Sequence, residues 1–277
     1  MIKVTTLIEN KLGKNQKLST EKGLSFYIEF DNKKILFDTG EEGAVVDNAK
    51  ILNIDLNKLD YIVLSHGHHD HTGGLKRIME TTNNSFKLIA NEKLLNLKQA
   101  RMENGSIREL EDDINLEVLS KNNIQYKFLK VKIYKIDEQI YSVSNFKYQT
   151  TFEKKNEKYL LKKDNAYVID DFQDEQSLVI DTPKGLVVFV GCSHPGIINI
   201  LMGIKEQLNK NIYAVLGGSH LYAASKDKLD YIVEYLKGEK IQIIGLGHCT
   251  GTKSEEYIKD KFKKQYVSIR VGSVLVI

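Results

Sequence analysis

The chain has 277 residues, 42% of them hydrophobic, enough to bury a substantial core as one large domain or two small ones. Lys and Arg total 40 against 37 Asp and Glu, and a net charge of +3 is too weak a field to argue by itself for nucleic acid or an anionic membrane as partner. No segment approaches the ~20 apolar residues of a membrane span, MIKVTTLIENKLGK at the start has no apolar signal core, and two cysteines build no disulfide framework, so a cytoplasmic protein with reduced thiols is expected.

In chain order, short runs rich in β-branched and aromatic residues predict buried strands at SFYIEF (25–30), KILFDTG (34–40), YIVLSHG (61–67), SLVIDT (177–182), GLVVFVGC (185–192), IYAVLGG (212–218) and IQIIGLGH (241–248). Helical spacing recurs at AVVDNAKILNI (44–54), IINILMGIKEQLN (197–209) and KLDYIVEYLKG (228–238). The alternation predicts an α/β arrangement with sheet inside and helices outside. Two prolines and no Pro-, Gly- or Ser-rich linker leave no visible boundary, so residues 1–277 read as a single domain. Residues 76–170 stand apart, dominated by Lys, Asn and Glu. Within them LIANEKLLNLKQARMEN (88–104) reads as a helical insert and VKIYKIDEQIYSV (131–143) as an edge hairpin. The insert is either a cap over a site or a solvated excursion.

Four of the seven histidines fall within residues 66–71, in the stretch SHGHHDHTGGL that follows the strand YIVLS. Alternate side chains of an extended segment share a face, so His66 and His68 can reach one ion together. Asp70 and His71 are adjacent and would diverge on a strand. A turn, with a helix starting near Thr72 and Gly73 and Gly74 permitting close backbone approach, swings both toward a second ion. Imidazole and carboxylate are donors suited to Zn, Fe or Mn, and metal pairs ~3.5–4 Å apart suit hydrolysis.

The pattern His66-x-His68-x-Asp70-His71 between strand and Gly-Gly helix start resembles the HxHxDH signature of the metallo-β-lactamase superfamily. That resemblance implies a four-layer αββα fold, two packed mixed sheets with helices outside, and two divalent metal ions, Zn foremost with Fe or Mn as alternatives. His69 is expected to point away from the metals. DNKKILFDTG resembles the family's early strand, which makes Asp38 a candidate to orient a ligand histidine; read alone, Asp38 simply closes a turn with Gly40. IIGLGHCTG resembles the strand end that carries the last ligand, giving His248. SLVIDTPKGLVVFVGCSHPGI resembles the paired strands that end at a bridging aspartate, yet this chain has Gly191-Cys192 where the family reads Gly-Asp. Cys192 is therefore either a thiolate ligand or a small buried hydrophobe. No histidine lies between His71 and His194, so the third position falls to His194, the preferred choice, or to Asp170, Asp171, Asp174 or Glu175 of DDFQDEQ.

GCSHPGI, GGSHL and GHCTG together resemble a subgroup of metal-dependent hydrolases labelled dihydropterin ribofuranosyl-aminobenzene phosphate synthase-like. In that subgroup the GGSHL histidine is a signature, so His220 is expected to face the cleft as acid, clamp or extra ligand; the plainer reading is a histidine satisfied by backbone at a strand end. Near Pro195, helix-start N–H groups at Ser193 and His194 can receive an anion. The resemblance implies Asp70 orienting the attacking water and His220 assisting the leaving group. The expected activity is hydrolysis of an ester, lactone or phosphoester in a small, anionic molecule, selected by the 76–170 region, SNFKYQTTFE (144–153) included. The alternatives are a di-iron redox or oxygen-handling protein and a non-catalytic metal-binding sensor. Charge runs of mixed sign argue against nucleic acid, no membrane partner is expected, and self-association stays open.

Overall fold

The computed structural model describes residues 1–111, 114–164 and 166–277. Its contacts divide the chain into two compact units, Met1–Lys130 with Asn156–Asp174 and Arg270–Ile277, and Val131–Lys155 with Glu175–Ile269. Among the described residues no helix is long and apolar enough to cross a membrane.

The first unit is built on a seven-stranded mixed sheet, ordered Val274–Val276, Ile2–Ile8, Ser25–Phe30, Lys33–Phe37, Tyr61–Val63, Lys87–Asn91 and Gln125–Leu129. Its first four strands are antiparallel, and from Lys33–Phe37 onward the pairing is parallel. Parallel strands run the same way, so those ending at Phe37 and Val63 deliver the residues after them to the same sheet edge; Asp38 N–H donates to Val63 O at 2.9 Å. Helices Ala44–Ile51 and Gly74–Thr81 bury Val45, Ala49, Leu75, Ile78 and Met79 in the same core as Leu36, Ile62 and Leu88. The expected close approach at the glycine pair is observed. A Cβ on Gly73 would collide with the Glu41 carbonyl oxygen, and one on Gly74 with that of Thr39.

The helical insert expected at 88–104 is instead the strand Lys87–Asn91, a single 3₁₀ turn Glu92–Leu95, and the strand Lys98–Arg101. Leu88, Ile89 and Ala90 are all buried, paired on both sides by parallel neighbours, and this non-local burial outweighs the helical spacing of the leucines. Asn91 then stops the strand, its side chain accepting from Lys93 N–H at 3.0 Å. Lys98–Arg101 belongs to a separate four-stranded antiparallel sheet with Ile107–Glu109, Tyr159–Lys163 and Ala166–Ile169. The described residues thus form three sheets, one more than the two expected.

In the second unit a six-stranded sheet runs Ile243–Gly247, Ile212–Gly218, Gly185–Val190, Gln176–Thr182, Ile140–Ser144 and Ile133–Asp137. The predicted hairpin at 131–143 is present, with Ile133–Asp137 at the sheet edge. The first three strands are mutually parallel, and Leu186, Val187, Val188, Phe189 and Val190 are all fully buried, as a strand covered on both faces requires. Helices Ile197–Leu208, Lys226–Gly238 and Thr252–Lys261 contribute Ile200, Leu201, Ile204, Ile232, Leu236 and Ile258 to this unit's core.

Candidate metal centre

In the first unit, the motif begins where Tyr61–Val63 runs out. Asp38, at the end of the neighbouring parallel strand, sits at φ 59° and is fully buried. Its Oδ1 accepts from Ser65 N–H at 2.7 Å and its Oδ2 from the Ser65 hydroxyl at 2.8 Å. The same Oδ2 lies 2.6 Å from His71 Nδ1. A carboxylate there fixes the proton on Nδ1 and leaves the ring's lone pair on Nε2. The Ser65 hydroxyl spends its hydrogen on Asp38, so it accepts from His66 Nδ1, 2.9 Å away, and sets the same tautomer in His66. Asp38 thus does more than close a turn.

His66 Nε2 and His68 Nδ1 lie 3.2 Å apart, within hydrogen-bond distance of each other. The helix starts three residues earlier than expected, at His69, because the His68 carbonyl receives His71 N–H, Thr72 N–H and the Thr72 hydroxyl. This early turn swings Asp70 and His71 off the strand. Asp70 is 5% exposed, with its Oδ2 3.2 Å from Lys22 Nζ. Both ring nitrogens of His69 meet protein groups instead, Leu110 O at 3.0 Å and Glu41 Oε1 at 2.6 Å.

Sequence reasoning missed the support behind this loop. Lys98, 1% exposed, donates to Asp170 at 2.9 Å and to Asp174 at 2.8 Å. The other Asp174 oxygen accepts from Gly67 N–H at 2.8 Å, between the first two motif histidines. Burial works to lower the Lys98 ammonium, but the charges of Asp174 and Asp170 outweigh it and hold it above its ordinary value. Burial pushes the Asp170 carboxyl up, against the pull of Lys98. The rings of Tyr159 and Phe172 stand 5.5 and 5.6 Å from that of His68. The cluster DDFQDEQ was visible as acidic, but nothing local in the sequence ties it to a lysine some 70 residues upstream.

In the second unit, three adjacent parallel strands end at one sheet edge, and each is followed by candidate ligands: Cys192 and His194 after Gly185–Val190, His220 after Ile212–Gly218, His248 after Ile243–Gly247. Loops beyond the carboxyl ends of parallel strands are where such sheets place their chemistry. Ser193, His220 and His248 take φ of 60°, 50° or less, which turns the chain sharply off the sheet at a cost in backbone strain. Cys192 Sγ is 3.3 Å from His248 Nε2. The His194 and His220 rings are 4.5 Å apart, and that of Tyr222 is 5.2 Å from His220. His220 N–H donates to Cys249 Sγ at 3.3 Å.

Glu175, a candidate ligand by sequence, accepts from Ser193 N–H at 2.8 Å and His194 N–H at 3.0 Å. Asp170 and Asp174 are held by Lys98, and Asp171 accepts from the Gln173 side chain.

The anion expected at the helix start after Pro195 is supplied by the protein itself. Besides Glu175 on the Ser193 and His194 N–H groups, the buried Glu153 carboxylate accepts from Ile198 N–H at 3.1 Å and Asn199 N–H at 2.9 Å. These are the unpaired donors of a helix N-terminus, and an internal carboxylate satisfies them as a ligand would. The segment SNFKYQTTFE therefore caps a helix with its last residue. Burial pushes the Glu153 carboxyl up, in spite of those N–H groups. Its folded-state value lies above the unfolded one, so its contribution to stability is complete below the unfolded value, about 4.3, and is lost as pH rises through the folded value. Urea midpoints measured across that range should move in favour of Glu153→Gln relative to wild type as pH rises; a constant difference would contradict this account.

The donor chemistry on each unit, imidazoles with fixed tautomers beside a buried carboxylate on one and a thiol against an imidazole on the other, suits a borderline-soft divalent ion. Comparison with known proteins agrees. The family model "Metallo-beta-lactamase superfamily" matches residues 19–124. Across 99% of the chain and 96% of the relative, the sequence is 34% identical to the 7,8-dihydropterin-6-methyl-4-(β-D-ribofuranosyl)-aminobenzene-5′-phosphate synthase of Methanocaldococcus jannaschii. An uncharacterized protein of that organism, MJ0448, is 34% identical over 92% of both chains. Among solved structures, that of Tm1679, described as a metal-dependent hydrolase of the β-lactamase superfamily, superposes with a TM-score of 0.85 at 28% identity, covering 100% of this chain and 99% of the other.

Proposed function

Because the chain belongs to the metallo-β-lactamase superfamily and has its fold, we propose that it is a metal-dependent hydrolase of an ester-, lactone- or phosphoester-type small molecule. The proposed ligands are His66, His68, Asp70, His71, His194 and His248, with Cys192 as a further donor in place of the usual aspartate. The observation that carries this reading is the tautomer control at the motif, Asp38 on His71 and Ser65 on His66, which commits each imidazole to offering Nε2. A pair of divalent ions, Zn foremost and Fe or Mn next, would supply Lewis acidity and a lowered pKa for water near neutral pH. Asp70 holds and orients the attacking water through its carboxylate, and the His220 ring, set by its contacts with His194 and Tyr222, carries the proton for the leaving group. An anionic substrate is part of the proposal, its negative charge meeting the metal-bearing site.

Elemental analysis of the native protein, followed by a panel of phosphoesters, lactones and carboxylic esters before and after chelation, tests the proposal. Bound metal with chelator-sensitive turnover of one bond class is expected; metal-free protein, or turnover indifferent to chelation, would overturn it. Asp38→Asn keeps the shape but replaces the charge-assisted contact to His71, so metal affinity should fall ~10–100-fold in competition against a chromophoric chelator.

A second reading, a synthase, is favoured by the whole-chain likeness to the archaeal enzyme. Under it the same residues would serve the joining of a dihydropterin, activated by a phosphate-type leaving group on its methyl carbon, to a ribofuranosyl-aminobenzene phosphate, the bond from carbon to leaving group breaking as the new bond forms and the displaced proton passing to a base. Incubation with both compounds and mass analysis of the product separates it from hydrolysis.

A further inference from the structure

The strand Lys98–Arg101 carries the one lysine that is buried among the described residues, and its environment is built around the motif loop. Lys98 Nζ bridges Asp170 and Asp174. Asp174 spends its remaining oxygen on Gly67 N–H, and Gly67 has no room for a side chain, because a Cβ would press on the Leu94 carbonyl oxygen and approach Lys98 Cε at 3.2 Å. Phe172 lies between the two aspartates, its N–H held by Asp170 Oδ1 at 2.7 Å and its φ at 49°. The Phe172 ring stands edge-on to the His68 imidazole and 5.3 Å from Lys98 Nζ. One ammonium therefore fixes both the backbone before His68 and the aromatic wall against its ring.

We propose that Lys98 is a positioning residue for metal binding: through Asp174 on Gly67 and through Phe172 on the His68 ring, it sets where His68 points. The proposal rests on the reading of His66 and His68 as ligands. Burying an ion set has a desolvation cost that neutral, well-packed groups avoid, so fold stability alone does not require these charges here. A network connected to the motif at two points is instead suited to fixing geometry, as the partners that orient ligands do.

The test uses the full chain loaded with Co²⁺, whose visible ligand-field bands report ligand geometry, together with Zn²⁺ affinity by chelator competition. The triple variant Lys98→Met/Asp170→Asn/Asp174→Asn neutralises the network without leaving a lone buried charge. It should fold, bind Zn²⁺ ~10–100-fold more weakly, and show altered Co²⁺ bands. Asp174→Asn alone, nearly isosteric, should shift the bands in the same sense and serves where the triple variant does not fold. Wild-type affinity and an unchanged Co²⁺ spectrum in a folded variant would overturn the role of Lys98 while leaving the metal assignment standing. Wild-type protein that takes up neither Zn²⁺ nor Co²⁺ would instead sink the metal assignment, and this inference with it.

Discussion

His68→Ala and Asp70→Asn are each expected to cut metal affinity by more than ~100-fold, beyond the loss typical of a group that only supports a ligand, and to bring turnover to background. Both side chains are buried, His68 at 6% and Asp70 at 5% exposure, yet neither is part of the apolar core of its unit. His68 meets Tyr159 and Phe172 by ring contact, and the His68 backbone, which starts the helix His69–Thr72, is untouched by truncation at Cβ. The folded chain should therefore persist. An ion that binds only the native state adds about 2.7 kcal/mol of stability at 100 times its dissociation constant. Each variant should accordingly melt where chelator-treated wild type melts, and added Zn²⁺ should not raise its midpoint. Calorimetry with and without metal, beside elemental analysis, reads this directly; full occupancy and full turnover in both variants would remove the site assignment.

Gly217→Ala should produce the largest loss of stability of any single methyl added to this chain's second unit. Gly217 has φ 140°, a region that L side chains rarely enter, and the new Cβ would run into the carbonyl oxygen of Val190 on the adjacent parallel strand. Backbone strain of ~1–3 kcal/mol and a comparable overpacking cost fall on the same residue. A loss of about 4 kcal/mol in urea denaturation follows, with an unchanged m-value. Val190 and Gly217 lie just before Cys192 and His220, so whatever relief the strands find displaces candidate ligands too. A variant within 1 kcal/mol of wild type would show that the crowding is relieved elsewhere.

Local signals carried much of the architecture. SFYIEF and IYAVLGG are strands with the boundaries their patterns suggest, and the helix Ile197–Leu208 follows its apolar spacing. The motif histidines were legible because their chemistry is concentrated within six residues. The run 88–104 misled because its leucines fit a helix while its burial is decided by strands 25 and more residues away. Glu153 and Glu175 were opaque for a related reason: what a helix start binds depends on which distant carboxylate the fold brings to it, and no spacing rule encodes that. Lys98 was hidden most completely, a cation in a lysine-rich stretch that composition assigns to solvent.

Ser193, His220 and His248 share one conformational burden, a left-handed backbone on a side chain other than glycine. Glycine or asparagine would sit at such corners with less penalty. Random drift toward a tougher scaffold would therefore erode these three positions early, and a lineage that keeps them is being held there by what the protein does rather than by how it folds.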